Sequence, residues 1–207
     1  MEVYLLRHGE TSWNHEKKIQ GSTEWVDLTD RGIDLAIRTR DGMLAEGVTF
    51  DKVFSSPLRR ALHTARIVGE GMGQRIEVDD RLREMSFGRY EGTLMEDGRF
   101  ADSNIRACFK DPPMFVPDGG ESFNDLLARA RSFVEEVILP LEDDGIGRVL
   151  VVSHGAIMRS FVRLVTNRPL EDYWLGSQPN CCVHVFEVLG GRCRMKEMAK
   201  IFAAHSG

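Results

Sequence analysis

The sequence predicts an α/β fold: a three-layer sandwich in which a mostly parallel six-stranded sheet has helices on both faces and an antiparallel edge strand. Short apolar runs alternate with stretches of helical periodicity along the 207 residues, and this alternation is typical of a parallel sheet covered on both sides. The last two apolar runs are separated only by Gly190-Gly191, which indicates a hairpin at the sheet edge. The length fits one domain, residues 1–207, with a small irregular or helical insertion at about 85–120 covering the functional site.

Local patterns define the elements in the first half of the chain. Three short apolar runs predict buried strands, at residues 3–6, 52–54 and 76–78. Residues 31–46 are predicted to form an amphipathic helix that ends before Gly47. Its expected buried positions are Ile33, Ala36, Ile37 and Leu44. Ser56 as N-cap and Pro57 at the first helical position predict the start of a helix that runs to about Gly71.

The second half continues the alternation after the insertion. Strand-like runs lie at residues 148–152, 182–188 and 192–198. Ser122 and Asp125 have the spacing of a capping box, which predicts a helix over 122–139 that Pro140 ends. A second helix, 156–165, follows strand 148–152 directly.

Composition excludes several classes of function. The net charge of −5 argues against a nucleic-acid partner, which would need a concentrated basic face. No apolar run approaches the ~20 residues of a membrane span, and the N-terminal residues do not have the pattern of a signal peptide; we therefore expect a cytoplasmic protein without a membrane partner. The four cysteines lack C-x-x-C spacing, which argues against zinc, and adjacent Cys181 and Cys182 are expected to be reduced thiols on opposite faces of a strand.

Two histidines follow predicted strands and point to phosphate chemistry. The first strand ends in Arg7-His8-Gly9, and the strand 148–152 ends in Ser153-His154-Gly155. Reactive groups in such sheets collect at the carboxyl ends of the strands, so the two histidines should meet if their strands are neighbours. A helix N-terminus behind His154 offers N–H groups to an anion. His8 is well placed as a nucleophile toward phosphorus.

A cation and a carboxylate follow two further strands. Arg59 and Arg60 lie in the first turn of the helix that Ser56 and Pro57 are predicted to start. Only one of them can face the site, because successive helical residues point about 100° apart. Glu84 lies beyond the third strand beside apolar Met85 and Phe87. A carboxyl group in such surroundings could hold a proton near neutral pH.

These motifs resemble the histidine phosphatase superfamily, in its phosphoglycerate mutase-like branch. The resemblance covers nearly the whole chain, since residues 55–65, 82–92 and 119–122 match further blocks in the same order. It implies that His8 becomes a phosphohistidine and that Glu84 is the proton donor. Arg60, which directly precedes alanine as in the family pattern, is chosen over Arg59. The implied catalytic residues are His8, Glu84, His154, Arg7 and Arg60, and the implied phosphate-binding residues are Arg7, Asn14, Gly21, Arg60, His154, Gly155 and Ala156.

The resemblance leaves the substrate open. Residues 24–29 depart from the family pattern, and Tyr90 replaces a frequent tryptophan. We expect a metal-independent phosphomonoesterase without a cofactor, acting on a small phosphorylated metabolite, of the ribazole-phosphate or broad-specificity kind, as a monomer or homodimer. The alternative is a cofactor-dependent phosphoglycerate mutase, which would use 2,3-bisphosphoglycerate. Mutases tend to have a paired-arginine clamp in the insertion, where this chain has scattered Arg99, Arg106 and Lys110. A catalytically inactive phospholigand-binding module is the third hypothesis.

Overall fold

The computed structural model describes residues 1–94 and 102–203. Six strands form one sheet in the order β3-β2-β4-β1-β5-β6. Their bounds are β1 Glu2–Arg7, β2 Lys52–Ser55, β3 Ile76–Val78, β4 Arg148–Ser153, β5 Val183–Leu189 and β6 Arg192–Lys200. The first four strands are mutually parallel, β5 is antiparallel to β1, and β6 is antiparallel to β5. The predicted fold class and the antiparallel edge hairpin are confirmed.

Helices cover both faces of this sheet. They are α1 Ser12–His15, α2 Asp30–Ala45, α3 Arg59–Val68, α4 Ser103–Lys110, α5 Phe123–Phe133, α6 Pro140–Asp143 and α7 Gly155–Thr166. Side chains that alternate along β1 enter two separate cores: Tyr4 and Leu6 pack with α2 and α3, whereas Val3 and Leu5 pack with α4, α5 and α7. This alternation is the period-2 pattern of a strand buried on both faces.

The register of the central strands brings the two strand-end motifs together. β1 and β4 are neighbours, and Arg7 is opposite Ser153. The N–H of His8 then donates to the carbonyl of Ser153 at 3.0 Å. β2 flanks β4 on its other side, so the chain leaving β2 reaches the same edge.

Helix α3 starts later than its sequence predicts. It begins at Arg59 with Leu58 as N-cap, and no side chain caps it, so the assignment of Ser56 as N-cap and Pro57 as the first helical residue is wrong. The Ser56 hydroxyl lies 2.8 Å from Nε2 of His154 and 3.3 Å from the N–H of Leu58. The hydroxyl therefore contacts the histidine instead of capping a regular helical turn.

Pro140 does not end the helix that Ser122 begins. The capping box is present, but α5 passes into a π-helical segment, Val134–Ile138, and then into α6, which starts at Pro140. A proline inside an α-helix clashes with the carbonyl four residues earlier, and the wider π turn displaces the backbone at this point. The predicted burial of Leu44 is also wrong: this side chain is 43% exposed, and Met43 is the buried one.

The insertion contains more regular structure than its composition indicates. It includes α4 and two 3₁₀ turns, Gly88–Tyr90 and Pro112–Met114. Its two ends are packed tightly together, because a Cβ at Gly120 would lie 2.3 Å from the carbonyl oxygen of Ser86. Arg99 lies outside the described residues.

The adjacent cysteines are reduced, as the sequence predicts. Cys181 and Cys182 are buried free thiols, and they pack into the two opposite cores from positions just before β5. Within residues 1–94 and 102–203, no helix has the length and apolar character needed to cross a bilayer.

Candidate active site

The imidazole of His8 is held in one tautomer at the end of β1. Its Nδ1 lies 2.7 Å from the carbonyl oxygen of Gly9, and a carbonyl can only accept, so Nδ1 is the donor. The available lone pair of the neutral ring is therefore on Nε2. Asn180 donates to the carbonyls of His8 and Gly9 at 3.0 and 3.1 Å, which fixes the backbone that carries the ring.

Burial and two cations keep this ring uncharged. His8 is 2% exposed, and desolvation followed by the charges of Arg60 and Arg7 lowers its pKa well below the ordinary value. A neutral imidazole with its lone pair on Nε2 is the nucleophilic form.

Arg60 lies in the wall of the site, and Arg59 does not. The Arg60 guanidinium is fully buried and donates to the carbonyl oxygens of Thr23 at 2.9 Å and Gly21 at 2.7 Å. Burial lowers its pKa to about 10, so the group stays charged at neutral pH. Arg59, on the same helix, is exposed.

Arg7 provides the second cation. Its Nη1 donates to the carbonyl oxygen of Gln178. The Nε atoms of Arg7 and Arg60 are both buried, and neither has a hydrogen-bond partner among the described residues. A buried N–H without an acceptor is energetically costly, and an anion in the cavity would supply the missing acceptor.

The ring of His154 packs against that of His8. The two ring centroids are 5.1 Å apart, and His154 is fully buried. Burial, together with Arg60 and His8, lowers its pKa well below the ordinary value. One ring nitrogen contacts the Ser56 hydroxyl, and the other, Nδ1, has no partner among the described residues. With its proton on Nδ1, the ring has one N–H without an acceptor among the described residues.

Glu84 lies against the first turn of α7. Its carboxylate oxygens accept from the N–H groups of Ala156 at 3.0 and 3.1 Å, Ile157 at 3.1 Å and Met85 at 2.8 Å. The carboxyl group thus contacts backbone donors and not only the apolar side chains that its sequence neighbours indicate. The Ala156 N–H, assigned to phosphate by the resemblance, already has an acceptor here, and proton donation by Glu84 stays a prediction.

An arginine that the sequence does not single out holds the segment of Glu84 in place. Arg129 on α5 donates to the carbonyl oxygens of Arg81 at 2.7 Å, Arg83 at 2.6 Å and Glu84 at 3.1 Å. It also pairs with Glu121 at 2.8 Å. From the sequence alone, Arg129 is indistinguishable from a surface arginine on an amphipathic helix. The nearby Gly119-Gly120-Glu121-Ser122 block is the one sequence feature that points to this segment.

Gly21 and Asn14 complete the set predicted from the resemblance. The backbone of Gly21 has φ +53°, which favours glycine, and a Cβ there would lie 2.2 Å from Oε1 of Glu91, so a side chain at this position would displace Glu91 beside the carbonyl that Arg60 contacts. Glu91 also accepts from the N–H of Ser22 at 2.9 Å. Asn14 accepts from the N–H of Thr11 at 3.1 Å through its side-chain oxygen.

Eight of the nine predicted site residues border one cavity, and His154 is the exception. Its volume is about 120 Å³, and it is lined by Arg7, His8, Asn14, Lys18, Ile19, Gln20, Gly21, Arg60, Glu84, Phe87, Phe109, Gly155, Ala156 and Trp174, with His154 packed behind His8. Arg106 and Lys110 are exposed and do not line it. Among residues 1–94 and 102–203, no cluster of three or more His, Cys, Asp or Glu side chains is arranged to hold a metal ion.

The chain is similar to several known proteins. The family model of the histidine phosphatase superfamily (branch 1) matches residues 3–201. A putative phosphoserine phosphatase 2 from Hydrogenobacter thermophilus is 34% identical over 83% of this chain and 82% of its own length. A 2,3-bisphosphoglycerate-dependent phosphoglycerate mutase from Methylorubrum extorquens is 36% identical over 79% of this chain and 78% of its own.

Two further similarities differ in the length they cover. A probable 2-carboxy-D-arabinitol-1-phosphatase from Arabidopsis thaliana is 30% identical over 90% of this chain, which spans only 38% of that protein. The solved structure of a mycobacterial glucosyl-3-phosphoglycerate phosphatase in complex with VO3 superimposes with a TM-score of 0.83 at 27% identity, covering 96% of this chain and 98% of the other.

Proposed function

Because this chain belongs to the histidine phosphatase superfamily, branch 1, we propose that it is a metal-independent phosphomonoesterase that hydrolyses a small phosphorylated metabolite through a phosphohistidine at His8. The observation that carries the proposal is the tautomer of His8. With Nδ1 donating to Gly9, the lone pair on Nε2 is available beside the guanidinium groups of Arg7 and Arg60, which border the same cavity.

The proposed reaction has two steps. Nε2 of His8 attacks phosphorus, a P–N bond forms, and the ester P–O bond breaks as the leaving oxygen takes a proton from Glu84. Water then attacks phosphorus: a new P–O bond forms, the P–N bond to His8 breaks, Glu84 takes a proton from the attacking water, and inorganic phosphate leaves. Arg7, Arg60 and an N–H of His154 would stabilise the charge on the phosphoryl oxygens, which is the main requirement in phosphoryl transfer.

The second candidate function is the mutase, which the relative from Methylorubrum extorquens favours. A mutase must hold a carboxylate and a second phosphate while the acceptor takes the phosphoryl group. Within the described ranges, Lys18 is the single cation that lines the cavity besides Arg7 and Arg60, and its ammonium group is paired with Glu16 at 2.6 Å. This distribution of charge supports the phosphatase.

The two functions separate in one experiment with 3-phosphoglycerate as substrate, with and without 2,3-bisphosphoglycerate. The phosphatase forms no 2-phosphoglycerate in either mixture and releases inorganic phosphate from simple phosphate esters. Formation of 2-phosphoglycerate faster than release of phosphate would establish the mutase instead. An absence of turnover on this substrate and on a panel of simple phosphate esters would leave the phospholigand-binding module as the function.

A further inference from the structure

The cavity has an aromatic wall, which we define as Phe87, Phe109 and Trp174. These residues come from three separate segments: Phe87 follows Glu84, Phe109 is on α4, and Trp174 follows α7. The remaining lining residues outside the predicted catalytic and phosphate-binding residues are Lys18, Ile19 and Gln20, which are consecutive in the chain. Apolar rings therefore dominate the part of the cavity that a leaving group would occupy.

The three rings pack in a continuous row, with Phe87 and Phe109 stacked and Trp174 tilted by 38° against Phe109. Phe87 is 5% exposed, and its ring lies nearly parallel to that of Phe109, with centroids 5.9 Å apart and an interplanar angle of 18°. The Phe109 and Trp174 centroids are 4.8 Å apart. Contacts of this kind immobilise each ring against its neighbour, so the wall presents a fixed apolar surface.

Trp174 is anchored by polar contacts on two sides. Its Nε1 donates to the carbonyl oxygen of Cys108 at 2.6 Å, which connects it to α4. The guanidinium of Arg159 lies 5.4 Å from the Trp174 ring centroid and donates to the carbonyl oxygens of Leu175 and Gly176 at 2.8 and 2.9 Å.

The residue before Trp174 links it to the phosphate end of the cavity. The hydroxyl of Tyr173 donates to the carbonyl oxygen of Ala156 at 2.7 Å, and Ala156 belongs to the first turn of α7 that contacts Glu84. The position of the indole is thereby set relative to the groups that surround the phosphoryl group.

We propose that Trp174 and Phe109 are specificity-determining residues that select phosphate monoesters whose leaving alcohol carries a small neutral apolar group, with an aromatic ring preferred. This inference rests on the proposed phosphatase function. A charged leaving group would meet ring faces and a lysine whose charge is already balanced by Glu16. A flat ring would gain contact with Trp174 and Phe109 and leave no buried polar group unpaired.

The test compares 2-phenylethyl phosphate with ethyl phosphate. Both esters release a simple alkoxide, so the ratio of their kcat/KM values isolates the contribution of the ring. A single methylene in a hydrophobic pocket changes kcat/KM by about 10–200-fold, and we expect the wild type to prefer 2-phenylethyl phosphate by at least about tenfold. Trp174→Leu and Phe109→Leu should each lower this ratio by about tenfold.

Trp25→Leu is the matched control, because Trp25 is 62% exposed and does not line the cavity; it should leave both kcat/KM values unchanged. Circular dichroism melting shows which variants fold. If Trp174→Leu does not fold, the ratio measured for Phe109→Leu tests the proposal. Turnover of both esters with equal kcat/KM in the wild type, or an unchanged ratio in the folded variants, overturns the aromatic selectivity and leaves the phosphatase intact. A wild type that hydrolyses neither ester overturns both.

Discussion

Arg60→Ala should impair catalysis far more than Arg59→Ala. Arg60 is fully buried and borders the cavity, whereas Arg59 on the same helical turn is exposed. Burial lowers the pKa of Arg60 to about 10, which corresponds to about 3 kcal/mol against the charged form. The fold thus maintains a buried cation at a cost that a bound anion would offset.

The expected loss of activity in Arg60→Ala follows from the buried position of Arg60 beside the cavity. Loss of one preorganised donor to a developing oxyanion lowers kcat by about 10²–10³, or roughly 3–4 kcal/mol. We expect a loss in this range for Arg60→Ala and less than about twofold for Arg59→Ala, since exposed surface side chains contribute little. Arg60→Lys should fall between them, because an ammonium keeps the charge but lacks the planar fork that reaches the carbonyls of Thr23 and Gly21 and a phosphate together.

The assay is steady-state hydrolysis of ethyl phosphate, with urea unfolding of each variant to separate catalysis from stability. Equal losses of kcat/KM in Arg59→Ala and Arg60→Ala would refute the assignment. A loss in Arg60→Ala that tracks its unfolded fraction would likewise show that Arg60 acts through the fold and not on the phosphate.

Three further predictions concern proton donation by Glu84, the effect of chelators on turnover, and the dependence of stability on pH. Glu84→Gln should lose about 10²–10⁴-fold in phosphorylation by alkyl phosphates and little by p-nitrophenyl phosphate, whose leaving group needs no proton; rapid-quench kinetics that show equal losses would make Glu84 structural. EDTA should leave turnover unchanged and vanadate should inhibit, whereas activity lost in EDTA and restored by zinc or magnesium would indicate a metallohydrolase. Burial lowers the pKa of His184 to about 4, so the unfolded chain binds more protons between about pH 6.5 and 4 and stability falls as pH falls through that window. In urea unfolding, His184→Gln should narrow the stability difference between pH 7 and pH 5 by about 2 kcal/mol, and an unchanged difference would contradict this.

The strand ends were predictable because they depend on local patterns and simple topology. Apolar runs locate β1 and β4, and the polar clusters that follow them contain His8 and His154. Parallel neighbours place such clusters at one edge of a sheet, and the register of Arg7 with Ser153 does so here. Helical geometry predicts that only one of Arg59 and Arg60 faces the site, and the family resemblance selects Arg60.

Contacts between distant segments could not be predicted in this way. Arg129 is 45 residues from Glu84, whose carbonyl it contacts, and Asn180 is 172 residues from His8. Side chains that satisfy backbone carbonyls across a fold leave no periodic signal. The start of α3 was missed for a related reason, because the Ser56 hydroxyl contacts His154 and is not available as a regular cap.

A covalent phosphoenzyme on His8 is the intermediate on which the proposed chemistry depends. Wild-type protein mixed with a radiolabelled phosphate ester and quenched within milliseconds should carry a label that is acid-labile and stable in base, as a phosphoramidate is. The label should be absent from His8→Ala and present in Arg59→Ala. A label that survives His8→Ala, or one that is stable in acid, would contradict the assignment of His8 as the nucleophile.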